Sequence, residues 1–104
     1  MTQIFIDKFI IPQHAEQEFT ERMIINRDFI KNLPGFIKDE AYSRHDEAGN
    51  LVCITVASWQ SEAALNLAKA AVQAEYERTG FNPAAMLARL NITMQRYTYH
   101  PMDN

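Results

Sequence analysis

Two polar residues interrupt apolar patterns at places where their chemistry could be used. Asp7 lies in QIFIDKFII between Phe5 and Phe9, which share its parity on an extended chain. If that strand face points at helices, the carboxylate is partly desolvated and becomes a candidate base. The competing role is a salt bridge, for example with Arg96 near the end of the chain. Asn26 falls near the centre of the apolar stripe of a helical segment, close in angle to Ala15 and Phe19. A buried amide must be hydrogen-bonded. It can tie down a backbone group, sit at a subunit edge, or bond a ligand oxygen. Asp7 and Asn26 are therefore the candidate catalytic residues, one to take or hold an acidic proton and the other to bond the resulting oxyanion.

Three aromatic residues are the candidate substrate-binding set. Trp59, the chain's single tryptophan, closes the apolar run LVCITVASW where a helix is expected to begin. A side chain at such a junction either anchors a core or walls a pocket and stacks on a flat ring. Tyr76 shares the inner arc of the second helix with Leu65 and Val72. Tyr42 lies on a strand whose facing depends on register, as do His45, Tyr97 and Tyr99. Other chemistries are disfavoured. The lone Cys53 sits inside an apolar run and reads as an inert buried thiol. His14, His45 and His100 lack ligand spacing, so no metal site is expected. Glu75 with Arg78 three residues on reads as an intrahelical pair. No phosphate-cradling glycine loop or Ser/Cys nucleophile motif occurs.

These residues must be positioned by alternating strands and helices. Gln3–Ile11 reads as a strand covered on both faces and closed by Pro12. Residues 14–32 show a helical period, with Ala15, Phe19, Met23, Phe29 and Ile30 on one stripe. Leu33-Pro34-Gly35 ends that helix. Residues 36–45 and 51–58 predict two strands joined by the Asp46–Asn50 hairpin. Ser61 is the expected N-cap of a helix running to about Thr79, with Gly80 as its stop. Asn82-Pro83 opens a short helix through Arg89, and residues 91–100 predict the last strand. The order β-α-β-β-α-α-β predicts an α+β, ferredoxin-like split βαβ fold. It has a four-stranded antiparallel sheet with the two main helices on one face. Ile4, Ile6, Val52, Ile54 and Val56 make the sheet too apolar for a wet second face. A homodimer joined through sheet faces is the expected answer.

At 104 residues the chain, 1–104, is expected to be a single domain and complete. Its composition is that of an ordinary globular protein, with a net charge of -3. The ten basic residues are scattered, so no nucleic-acid partner is expected. With no signal segment and no apolar run near the ~20 residues of a membrane span, a cytoplasmic, non-membrane location follows as the expectation.

The opening strand ending at Pro12, LPGF at 33–36, the hairpin, SWQSEAAL at 58–65 and MQRYTYHP at 94–101 occur together in order. In that combination the chain resembles the antibiotic biosynthesis monooxygenase family of dimeric α+β barrels, over nearly its whole length. The resemblance implies a monooxygenase with no metal, flavin or other cofactor. The expected substrate is a small quinol-type or polycyclic aromatic whose own anion donates electrons to O₂. It departs from the family's pattern in the second helix. The histidine that members often carry nine residues after the tryptophan is Ala68 here. Haem-degrading members have an aromatic at that position and a haem-ligating histidine ten residues further on, which is Arg78 here, and their first-strand asparagine falls at Asp7. The alternative is a non-catalytic stress-response or ligand-binding module for a small aromatic or hydrophobic molecule. An isomerase or lyase on a small lactone or enol is a third possibility.

Overall fold

A computed structural model describes residues 1–102 of the chain. Strand β1 (Gln3–Ile11) is followed by a single 3-10 turn at Gln13–Ala15 and helix α1 (Glu16–Ile30). Strands β2 (Phe36–His45) and β3 (Leu51–Trp59) precede helices α2 (Glu62–Thr79) and α3 (Pro83–Leu90) and strand β4 (Thr93–Tyr99). The sheet order is β2-β3-β1-β4, with all neighbours antiparallel. This is the expected α+β, ferredoxin-like arrangement. The principal extents of 39 × 38 × 18 Å leave depth for one sheet and one helix layer, so the second sheet face is uncovered within the chain.

Strand register assigns the faces. In β1, Phe5, Asp7, Phe9 and Ile11 pair with Ala57, Thr55, Cys53 and Leu51 of β3. Phe9, Ile11, Leu51 and Cys53 share a core cluster with Ala15 and Phe19 before and within α1 and with Met86 and Leu90 of α3. A second cluster joins Ala57 and Trp59 to Leu65 and Ala68 of α2, with Phe5, Ile30, Leu33 and Phe36 packed against it. Odd-numbered residues of β1 and β3 therefore face the helices, and even-numbered ones face outward. A bulge between Phe36 and Lys38 inserts one residue into β2. It keeps Phe36 opposite Trp59 and still brings Asp39 to the helix face opposite Ala57.

The local signals account for most boundaries. Ser61 Oγ accepts the Ala64 amide at 3.0 Å and the Asn82 side chain accepts that of Ala85 at 3.0 Å. Gly80 closes α2 at φ 71°. The chain departs from expectation at several element ends. The first helical turn, expected from His14, is 3-10, and α1 ends at Ile30 rather than Asn32. β3 runs one residue further, to Trp59. β4 starts at Thr93 rather than Asn91, because Asn91 takes the left-handed cap of α3 (φ 57°) and Ile92 is buried in the core.

Gly35 is the tightest backbone position. It lies at φ 82°, its carbonyl accepts the Gln60 amide at 2.9 Å, and a Cβ there would meet the Ala64 Cβ at 2.4 Å. Gly35→Ala combines left-handed strain with overlap, so a loss on the order of 3 kcal/mol is expected. Urea denaturation checks this; a stability within error of the parent would mean that the α2 N-terminus yields freely.

Candidate functional site

The helix-facing side of the sheet carries a polar row between its two apolar clusters. Thr55, Asp7 and Arg96 are in register across β3, β1 and β4. Asp7 is 8% exposed. Arg96 donates to its carboxylate from Nε at 2.7 Å and from Nη2 at 2.9 Å, a two-pronged pair. The carboxylate holds the Arg96 guanidinium above its usual range. The Arg96 guanidinium carbon also lies over the Phe5 ring, 4.9 Å from its centroid, beside the second cluster. Asp7 thus has the salt-bridge partner anticipated for it.

Near this row α1 and α2 leave a cleft of about 70 Å³. Arg22, Asn26, Phe29 and Ile30 line it from α1, and Val72, Glu75 and Tyr76 from α2. Burial pushes the Tyr76 phenol up, while Arg22 and Arg96 pull it down and Asp7 raises it. The Asp7 carboxylate is therefore close enough for its charge to reach the cleft. Tyr76 meets Phe81 edge-on at 5.2 Å. The Arg22 guanidinium carbon sits 3.5 Å from the Phe81 centroid and 5.6 Å from that of Tyr76. Arg22 Nε is buried with no hydrogen-bond partner among the described residues. Leaving such a donor unpaired costs about 1–3 kcal/mol. Glu75, across the cleft, is taken by Arg78 at 2.7 and 2.9 Å, which holds its carboxyl below the usual range.

Of the five candidates, Asn26 and Tyr76 line one cleft, and Asp7 lies within electrostatic reach of it. Trp59 does not line it. At 2% exposed, it packs edge-on against Phe36 at 5.5 Å in the second cluster, so it anchors core; its indole N–H has no partner among the described residues. Tyr42 pairs with Ile54 on the outward face, 57% exposed, and its hydroxyl donates to Glu40 at 2.6 Å. It belongs to the other side of the sheet. Cys53 is buried in the first cluster, and desolvation pushes its thiol up, which suits an inert role. Arg22 is the residue that the sequence reading passed over. Its signal was present: Phe19, Arg22, Asn26 and Phe29 follow a 3-4-3 spacing that puts the arginine on the buried stripe. Among the described residues no three His, Cys, Asp or Glu side chains are grouped to hold a metal ion, and no helix is long and apolar enough to cross a membrane.

No protein-family model and no curated protein matches the sequence. Solved structures do match it. SnoaB, a cofactor-independent oxygenase from Streptomyces nogalater, is 22% identical with a TM-score of 0.71, covering 99% of this chain and 95% of its own. A candidate monooxygenase from Shewanella loihica PV-4 is 22% identical with a TM-score of 0.72, covering 99% and 96%. A candidate antibiotic biosynthesis monooxygenase from Nitrosomonas europaea is 12% identical with a TM-score of 0.70, covering 97% and 90%. The chain shares the fold of these structures over its whole length. At such identities the likeness concerns the fold alone.

Removing one member of the polar row should cost more than removing both. Arg96→Met strands the Asp7 carboxylate, and because the arginine is half-exposed a loss of about 2 kcal/mol is expected. Adding Asp7→Asn to that variant should recover part of it. A urea-denaturation double-mutant cycle reads the coupling, and strictly additive losses would show that the pair does not interact.

Proposed function

We propose that this chain is a cofactor-independent oxygenase of the antibiotic biosynthesis monooxygenase family, acting on a small quinol-type or polycyclic aromatic. The observation that carries the reading is the cleft between α1 and α2. It is lined by the apolar Ile25, Phe29, Ile30 and Val72 and by the polar or charged Arg22, Asn26, Glu75, Tyr76 and Thr79, and its charge environment includes Asp7. Such a site suits a flat apolar ring with one acidic oxygen. That this fold also carries SnoaB, a cofactor-independent oxygenase, supports the reading.

In this chemistry the deprotonated substrate is the electron donor. A ring methylene and O₂ balance to a carbonyl and one water, with one oxygen atom going to each product. The chain's residues bind the ring, hold the anion and keep water away. Asn26 bonds the oxyanion, and Asp7, through its pair with Arg96, shares or accepts the acidic proton. Tyr76 packs on the ring and closes the α2 side. A second reading, a binding module without turnover, is favoured by one feature: the Asp7 carboxylate is already engaged by Arg96. Both oxygens of an Asp7 so held are already occupied by Arg96 donors.

The two readings diverge on oxygen consumption. With a panel of quinols and reduced polycyclic aromatics, the oxygenase reading expects substrate-dependent O₂ uptake by the purified chain. Asn26→Leu and Asp7→Asn are expected to lower it about tenfold or more while the variants stay folded, by analogy with loss of an oxyanion donor. Full rates in both variants would remove these residues from the site. No uptake in the parent would favour the binding module.

The same reading includes a homodimer joined through the uncovered sheet faces. On that face Ile10, Ile54, Tyr97 and Tyr99 are 37%, 36%, 60% and 49% exposed, an apolar and aromatic surface too extensive to suit solvent. β4 and the residues after it are expected to reach across, burying above roughly 2,000 Å² in total. Sedimentation velocity at micromolar concentration should give a dimer. A stable monomer would exclude this assembly.

A further inference from the structure

Three arginines converge on the cleft region, and two are committed. Arg78 forks onto Glu75, and Arg96 forks onto Asp7. Among the described residues Arg22 has no ion pair and, at its buried Nε, no hydrogen-bond partner. Its guanidinium carbon is held over the Phe81 ring, 3.5 Å from the centroid, so packing restrains its position. The charged groups near it are already forked by other arginines: Glu75 by Arg78, although the charge of Arg22 also helps hold that carboxyl down, and Asp7 by Arg96; Tyr76 is neutral with its phenol pushed up by burial. The cleft is left with a guanidinium that has no direct ion-pair contact among the described residues, an unused buried N–H on it, and the Asn26 amide one helical turn away on the same stripe. A guanidinium with a free edge, pre-oriented and partly dehydrated, is built to receive an oxygen anion.

We propose that Arg22 is the anion-binding, specificity-determining residue of this cleft, selecting flat aromatic ligands that carry an acidic oxygen (an enolate, phenolate or carboxylate) over neutral ones of the same shape. The inference rests on the reading that the ligand sits between α1 and α2, and not on turnover. One ring occupies the cleft, and the remainder lies at its mouth beside Ile25, which is 55% exposed. The negative oxygen takes the open edge of Arg22, with Asn26 as a second donor. A neutral ligand of the same shape would leave the Arg22 donor poorly matched.

The test is binding of a matched pair, 2-naphthoate and 2-naphthamide, to the intact purified chain, followed by NMR through the side-chain N–H signals of Arg22 and Asn26. The carboxylate should bind about tenfold or more tightly than the amide, as expected for a charge-assisted pair. In Arg22→Gln that preference should fall to within about twofold, with amide binding little changed. Arg22→Lys keeps the charge but loses the fork, so it should retain an intermediate preference. Equal affinities in the parent, no binding of either probe, or a preference that survives Arg22→Gln would each overturn the proposal. Should thermal melting show Arg22→Gln to be unfolded, Arg22→Lys decides: a reduced preference supports the role and an unchanged one overturns it. The readout involves no oxygen, so a chain that discriminates the pair yet consumes no O₂ would refute the oxygenase reading and leave this one standing.

Discussion

The parity of one strand organises the whole molecule. β1 is hydrogen-bonded on both edges, to β3 and to β4, so its alternation is copied into both neighbours. Odd residues face the helices and build the two clusters; even residues form the uncovered face. A slip of one residue would send Phe9 and Ile11 outward and turn Lys8 and Ile10 toward the helices. The register is therefore fixed by what each wrong alignment would expose. The Asp7–Arg96 fork adds a polar condition to the apolar one. Only the observed β1/β4 alignment places these two side chains opposite each other, and any other leaves a buried carboxylate unmatched.

That polar row also shapes what lies above it. The first cluster takes the end of β1 near Ile11 together with Met86 and Leu90, and the second takes Phe5 with Trp59 and Leu65. Neither extends through Asp7. The helices consequently bridge a strip where apolar packing is interrupted, and the cleft between α1 and α2 opens in that helix layer. Arg22 and Tyr76 share it with Asn26 because a long cation and a phenol can each bury a stem or ring while keeping a polar end near the gap.

How much of this was legible in the sequence depended on the kind of signal. Strands and helices were legible to within about two residues, because turn chemistry marks their ends: Pro12, Gly35, Ser61, Gly80 and Asn82. Asn26 stood out because an amide on an apolar stripe violates a periodic pattern. Arg22 lies on the same stripe and was passed over, since arginine is ordinarily placed at the solvent edge and its stacking on Phe81 joins residues far apart in the chain. The facing of Tyr42 could not be read, because β2 alternates weakly and the bulge after Phe36 resets its parity. Trp59 was correctly located at a strand-to-helix junction. Its burial, however, is decided by Phe36, Leu65 and Ala68, which close around it only in three dimensions.

Ala68 shows why a shared fold does not carry a shared site. It occupies the position where the resembled family often has a histidine, and here it is 4% exposed, packed in one cluster with Trp59 and Leu65. An imidazole would need far more room than that contact allows, and its buried nitrogens would need partners that the cluster does not offer. The side of α2 near Trp59 has become core. The polar groups that remain near a cavity lie further along α2, at Glu75 and Tyr76, and on α1, at Arg22 and Asn26. In the oxygenase reading the stabilisation of a substrate anion therefore moves from an α2 histidine to the α1 stripe. A cation there lowers the energy of the anion without taking a proton itself, so anion binding and proton transfer become separate tasks for separate residues. That division fits a site whose carboxylate is already engaged, because it asks less of Asp7 as a base.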